Sequence, residues 1–161
     1  MDEIVIKDES HQTLEDALVQ AVWRRDLNAV NRLLESGANP NLPGHRWNSA
    51  IACAGENDDT GQIITTLVAA GADVNIQDDD GWTPLHHALD VAVDRTIQNN
   101  LDTIDWSIVG VFLALNADPN IANARWGNIY DMASAYGEKA RESLDDFLRS
   151  REYVSRGKAS D

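Results

Sequence analysis

Asp80-Gly81-Trp82-Thr83-Pro84-Leu85-His86-His87-Ala88, preceded by Gly71-Ala72-Asp73-Val74-Asn75, is the stretch whose reading decides the fold. Threonine ahead of proline marks a helix start. The Thr83 hydroxyl can cap free backbone amides, and Pro84 at the first helical position has no amide to leave unpaired. Asp78 to Gly81 is turn chemistry, with Gly81 free to take a positive φ. The chain is expected to pass from a tight turn straight into a helix.

The pattern recurs. Gly37-Ala38-Asn39-Pro40-Asn41 and Gly71-Ala72-Asp73-Val74-Asn75 lie 34 residues apart, and Asn116-Ala117-Asp118-Pro119-Asn120 follows after 45. A period of about 33 residues, built as a turn followed by two helices, resembles the ankyrin repeat, whose signature includes a Thr-Pro-Leu-His-x-Ala run. The match at 83–88 is specific, and its companions at 49–54 and 128–133 are degenerate. Asn128-Ile129-Tyr130-Asp131-Met132-Ala133 still keeps the capping, apolar and small positions in order. The resemblance covers residues 12–150. It implies an all-α ankyrin-repeat solenoid of about four helix-turn-helix repeats, with finger-like turns rather than a true sheet and the end repeats serving as caps. Residues 1–11 would then be an N-terminal arm and 151–161 a flexible C-terminal tail.

Hydrophobic spacing places the helices. Leu14, Ala17, Leu18, Ala21 and Val22 fall on one face, and Asp26 can cap a second helix carrying Ala29, Val30, Leu33 and Leu34 up to Gly37. Repeat two runs through Ser49–Ala54 and a loop at 57–61 to a helix containing Ile63, Ile64, Leu67 and Val68. Repeat three is irregular: 33 residues separate Thr83 from Asn116, some twelve more than a regular unit needs. The long insertion falls between its two helices, at Ala92 to Thr103, although Val91, Val93 and Ile97 can extend the first helix before Asn99-Asn100 breaks it. Trp106, Ile108, Val109 and Phe112 form the next helix, and repeat four pairs 128–136 with a helix carrying Ala140, Leu144, Phe147 and Leu148.

The totals fit one domain of 161 residues with a single cysteine, Cys53, so no disulfide closes within the chain and a reducing compartment is expected. Met1–Asp8 is not a secretory signal, and no apolar run approaches the roughly 20 residues that span a bilayer. These features predict a cytoplasmic protein. Net charge is −14, and between Cys53 and Asn120 twelve acids face one base, Arg95. Such a field repels nucleic acid and anionic membrane and speeds encounter with a basic protein surface.

Catalytic signals are lacking. There is no phosphate loop, no nucleophile elbow and no credible Cys/His pair, so no enzyme and no cofactor is expected. His86 and His87 are a poor metal pair because helix neighbours point about 100° apart. The resemblance instead gives His86 a hydrogen-bonding task near Thr83. Asp78-Asp79-Asp80 lacks the ligand spacing of a calcium loop.

The aromatics say more. Trp47, Trp82 and Trp126 sit in or beside the turns before first helices, about one repeat apart, where the resemblance implies projecting fingers and a concave binding face. Trp82 occupies a variable finger position and is expected to contact a partner, as are Asp79 and Asp80 beside it. Trp47 and Trp126 follow Arg46 and Arg125, so each pair either meets a partner or stacks arginine on indole. Asp90 and Asp94, with Asp102 and Asp105, add acids that turn chemistry does not explain, serving either partner binding or solubility. Trp82→Ala is expected to weaken binding with little change in melting, and Leu85→Ala to unfold the stack.

The functional expectation is a non-catalytic protein-binding module, monomeric when free, with a partner that presents a basic surface. The small, degenerate array resembles stand-alone bacterial ankyrin proteins, some of them immunity proteins that neutralise secreted toxins. A regulatory or scaffolding subunit for a cellular enzyme is the alternative reading, and a homo-oligomer in which the tryptophans meet is a third.

Overall fold

The computed structural model describes residues 13–44, 48–57 and 59–157, with side chains described as far as residue 151. Among them run eight helices: α1 Leu14–Trp23, α2 Leu27–Glu35, α3 Ala50–Gly55, α4 Gly61–Ala69, α5 Pro84–Gln98, α6 Ser107–Ala114, α7 Ile129–Tyr136 and α8 Glu138–Gly157. None is long and apolar enough to cross a membrane.

Local chemistry sets where they begin and stop. Thr13, Thr83 and Asn128 close capping boxes on α1, α5 and α7, with Asp16, His86 and Asp131 reaching back to the cap amides. Gly37 and Gly71 sit at φ 95° and 93°, and Asn116 takes the same left-handed place at 66°. Behind each, the next amide reaches back five residues, Ala38 to Leu33, Ala72 to Leu67 and Ala117 to Phe112, at 3.0, 2.9 and 3.0 Å. That is one helix stop used three times. No neighbouring atom lies within 4 Å of a β-carbon built on Gly37 or Gly71, so conformation rather than space demands glycine there.

The helices pack in antiparallel pairs, α1 with α2, α3 with α4, α5 with α6 and α7 with α8. First helices stack on first helices from α1 through α3 and α5 to α7, and second helices from α2 through α4 to α6. Among the described residues the intervening fingers hold only isolated antiparallel bridges, at Pro43–Ser49 and Asn123–Gly127. The all-α solenoid of four helix pairs with finger-like turns is therefore present as expected.

Between the layers lie Leu18, Ile51, Ile64, Leu67, Leu85, Leu89, Phe112 and Leu144, all fully buried. Each contributes on the order of 1.5–3 kcal/mol by leaving water. The small residues of α3 allow the stack to close: a β-carbon on Gly55 would stand 2.6 Å from the Pro84 carbonyl oxygen.

Repeat three departs from the even pattern. Most of its insertion is helix rather than connector, because α5 runs to Gln98 before Asn100 turns left-handed at φ 49° and Leu101 N–H closes on Thr96 at 2.9 Å. Trp106, placed in the second helix by periodicity, stands one residue outside it as the cap of α6. It is buried against Phe147 and donates its indole N–H to Ser143 Oγ at 3.0 Å, tying α8 to α6. Gly137 alone joins α7 to α8, and the α8 backbone continues helical past residue 150 to Gly157.

Candidate protein-binding surface

The fingers are stapled to one another by side-chain amides. Asn41 donates to the Gly71 carbonyl at 2.8 Å and accepts the Asp73 amide at 2.7 Å, while Asn75 accepts the Asp118 amide at 2.8 Å. At the first described repeat, Glu15 takes this place by accepting the Asn39 amide at 3.2 Å. That amide holds the Glu15 carboxyl below its ordinary range. Within a finger, Asp78 Oδ1 accepts the amides of Asp80 and Trp82 at 3.0 and 2.8 Å. Asp73 and Asp118 make the same short turn to Asn75 and Asn120.

The adjacent histidines do different work, and the helical offset between them is the reason. His86 points inward and is 1 % exposed. Its Nδ1 accepts the Thr83 amide at 3.1 Å, so the ring proton sits on Nε2 and donates to the Gly127 carbonyl at 3.1 Å. The ring therefore joins the start of α5 to the next finger. Burial, the main cause, lowers its pKa and keeps it neutral. His87 turns toward the concave side, with Nε2 at 3.0 Å from Asp78 and Nδ1 at 3.3 Å from Glu56. It thereby links repeat two, the finger and α5.

Trp82 leans on this pair, its ring centroid 5.1 Å from His87 and 6.2 Å from His86. It is half-buried and packed against the core rather than standing free at a finger tip. Its outer side still lines a concave groove of about 460 Å³ with Asp79, Asp80, Asp90, Asn48 and His87. A larger groove of about 720 Å³ between the first two fingers and α3 shares Asn48, Asp78 and Asp79 with it, making one trough. Cys53 lies at the floor of that trough but is buried, and burial followed by the Glu56 charge pushes its thiol up to about 12.

Trp82, Asp79, Asp80 and Asp90 are thus brought together, while the other expected positions are not. Asp90 is also an acceptor for the Tyr136 hydroxyl, and Asp94 adds to the field on that phenol; burial and the two carboxylates push its pKa up. Asp94 does not line the trough. Arg125 is exposed and stacks 5.3 Å above the Trp126 ring, the arginine-on-indole arrangement, with Trp126 half-buried against the core. Neither lines the trough. Arg46 and Trp47 lie outside the described residues. Sequence reasoning missed Glu56, Asn48 and His87 as members of this surface. For His87 the signal was available, since a helix neighbour of an inward histidine must face elsewhere.

Among the described residues no three His, Cys, Asp or Glu side chains are placed to hold a metal ion. The trough offers fixed carboxylates, an amide and one indole face, which suits cationic and aromatic groups of another chain.

Comparison with known proteins places the chain. The family model described as ankyrin repeats (3 copies) matches residues 18–123. A putative ankyrin repeat protein of Acanthamoeba polyphaga mimivirus is 28% identical over 132 residues, covering 74% of this chain and 22% of the relative, so the chain spans about a fifth of that protein's length. With its capping threonines, left-handed stops and stacked helix pairs, the chain belongs to the ankyrin-repeat family, whose fold is a module for protein–protein interaction.

Proposed function

We propose that this chain is an immunity-type protein that binds a partner with a basic surface and neutralises it by laying the acidic trough over the partner's working cleft. One observation carries the reading: Asp79, Asp80, Asp90 and Trp82 share a single concave groove. Around it, residues 53–120 hold twelve acids and one base. Asp78 is held by its turn and by His87, Glu56 by His87 and Asp90 by Tyr136, so part of the acidic lining is already ordered before a partner arrives. No catalysis by this chain is needed; steric cover and charge suffice.

The test is to express the product of the neighbouring gene with and without this chain. Growth arrest by that product alone, relieved by co-expression, together with a purified complex, supports the proposal. A harmless neighbour that does not bind sinks it. In a true complex the association rate falls steeply as salt rises, and Asp79→Asn with Asp80→Asn slows association more than it speeds release.

A further inference from the structure

We infer that the far end of α5, with the loop behind it, is a second docking surface, and that its occupant is an amphipathic segment of another protein, apolar on one side and rich in lysine or arginine on the other. Ordering each extra residue of the extension costs backbone entropy that buried contacts ordinarily offset. Yet the extension leaves Ile97 61% and Leu101 47% exposed. Beside them runs a groove of about 310 Å³ walled by Val93, Ile97, Leu101, Ile104, Tyr136 and Ala140. An apolar groove of this size takes a few anchoring side chains from a partner helix.

The rim decides what kind of segment. Tyr136 carries Asp90 on its hydroxyl and lies in the field of Asp94, while exposed Asp102 and Asp105 follow Leu101 and Ile104. Against these four acids stand Arg95, near Asp105, and Lys139 in the groove wall. The border is negative on a chain of net charge −14. A second copy would set this border against itself, since a two-fold interface pairs the same patch with itself and like charges there repel. A cationic segment gains from both floor and rim. None of the groove's wall residues lines the acidic trough, and the two surfaces meet at Asp90, which lines the trough and accepts from the Tyr136 hydroxyl.

The experiment titrates a labelled synthetic peptide, with leucines at i, i+3, i+4 and i+7 and lysines elsewhere, onto the full chain by fluorescence anisotropy. A second peptide replaces the leucines with serine. Ile97→Gln combined with Leu101→Asn alters only exposed side chains, and an unchanged melting curve verifies the fold. The proposal expects this variant to bind the leucine peptide at least about tenfold more weakly, Asp79→Asn with Asp80→Asn to change it less than about twofold, and the serine peptide to bind at least about tenfold more weakly than its parent. Equal weakening by the two variants, or equal binding of the two peptides, means unspecific charge attraction and overturns it. A dimer in solution that becomes monomeric in the Ile97/Leu101 variant also overturns it, in favour of a second copy.

Discussion

The two halves of α5 are built from one continuous helix and follow opposite rules. From Pro84 to Leu89 almost every side chain is committed: Leu85, His86, Ala88 and Leu89 are buried, and His87 is held between two carboxylates. Beyond Asp90 only Val93 and Thr96 remain buried, and Ile97, Gln98 and Asn99 face water. Helices α3 and α7 both pack on α5, and the exposure of its last residues shows that full cover ends before Gln98. Helix formation is thus local, but stability is lent by whatever lies alongside.

The largest test of that contrast is Leu85→Ala against Ile97→Ala. Removing the buried leucine leaves a cavity and is expected to cost about 2–5 kcal/mol in a denaturant titration, whereas the exposed isoleucine costs less than about 0.5 kcal/mol. Equal losses would mean the extension is packed after all. Next comes Gly55→Ala, whose new methyl meets the Pro84 carbonyl backbone at 2.6 Å and must push α3 from α5. We expect about 1–3 kcal/mol from overpacking there. Gly61→Ala, whose nearest neighbour is a Val111 methyl at 3.4 Å, is the tolerated control.

Trp82→Ala ranks third. The sequence reading expects an almost unchanged melting curve, but the ring rests on His86 and His87, so about 1–2 kcal/mol should be lost along with partner affinity. A silent melting curve would put the indole back in solvent. The smallest effect is the pH dependence of His86. Its folded pKa is lowered, so below the ordinary imidazole value of 6.5 the unfolded chain binds more protons than the folded one. Its contribution is complete above that value and is lost as pH falls through it. The melting temperature should therefore drop between pH 7.5 and 5.5, and His86→Gln should flatten that slope while lowering stability at neutral pH.

How much of this was legible varies along the chain for definable reasons. Thr83, Gly71 and Asn116 announce themselves because caps and left-handed stops are settled by a residue and its nearest neighbours. The helical part of the 92–103 insertion was half legible: Val91, Val93 and Ile97 pointed to it, but where it stopped depended on Asn100 and the return to Thr96. Trp126 illustrates the limit. Its pairing with Arg125 offered two readings, and that the arginine lies over the ring while the indole rests on the core depends on how the finger packs, which the sequence does not spell out.

The amino-acid sequence by itself determined that this is a stack of turn-helix-helix units carrying a lopsided negative charge, because repeat period, capping chemistry and composition are short-range or additive properties. Only the tertiary structure decided which acids share a trough, that His87 spans Glu56 and Asp78, and that α5 ends beside an open apolar groove. Those facts depend on how one repeat is rotated onto the next, and that rotation is fixed by contacts between residues as far apart as Asn41 and Asp73 or His86 and Gly127.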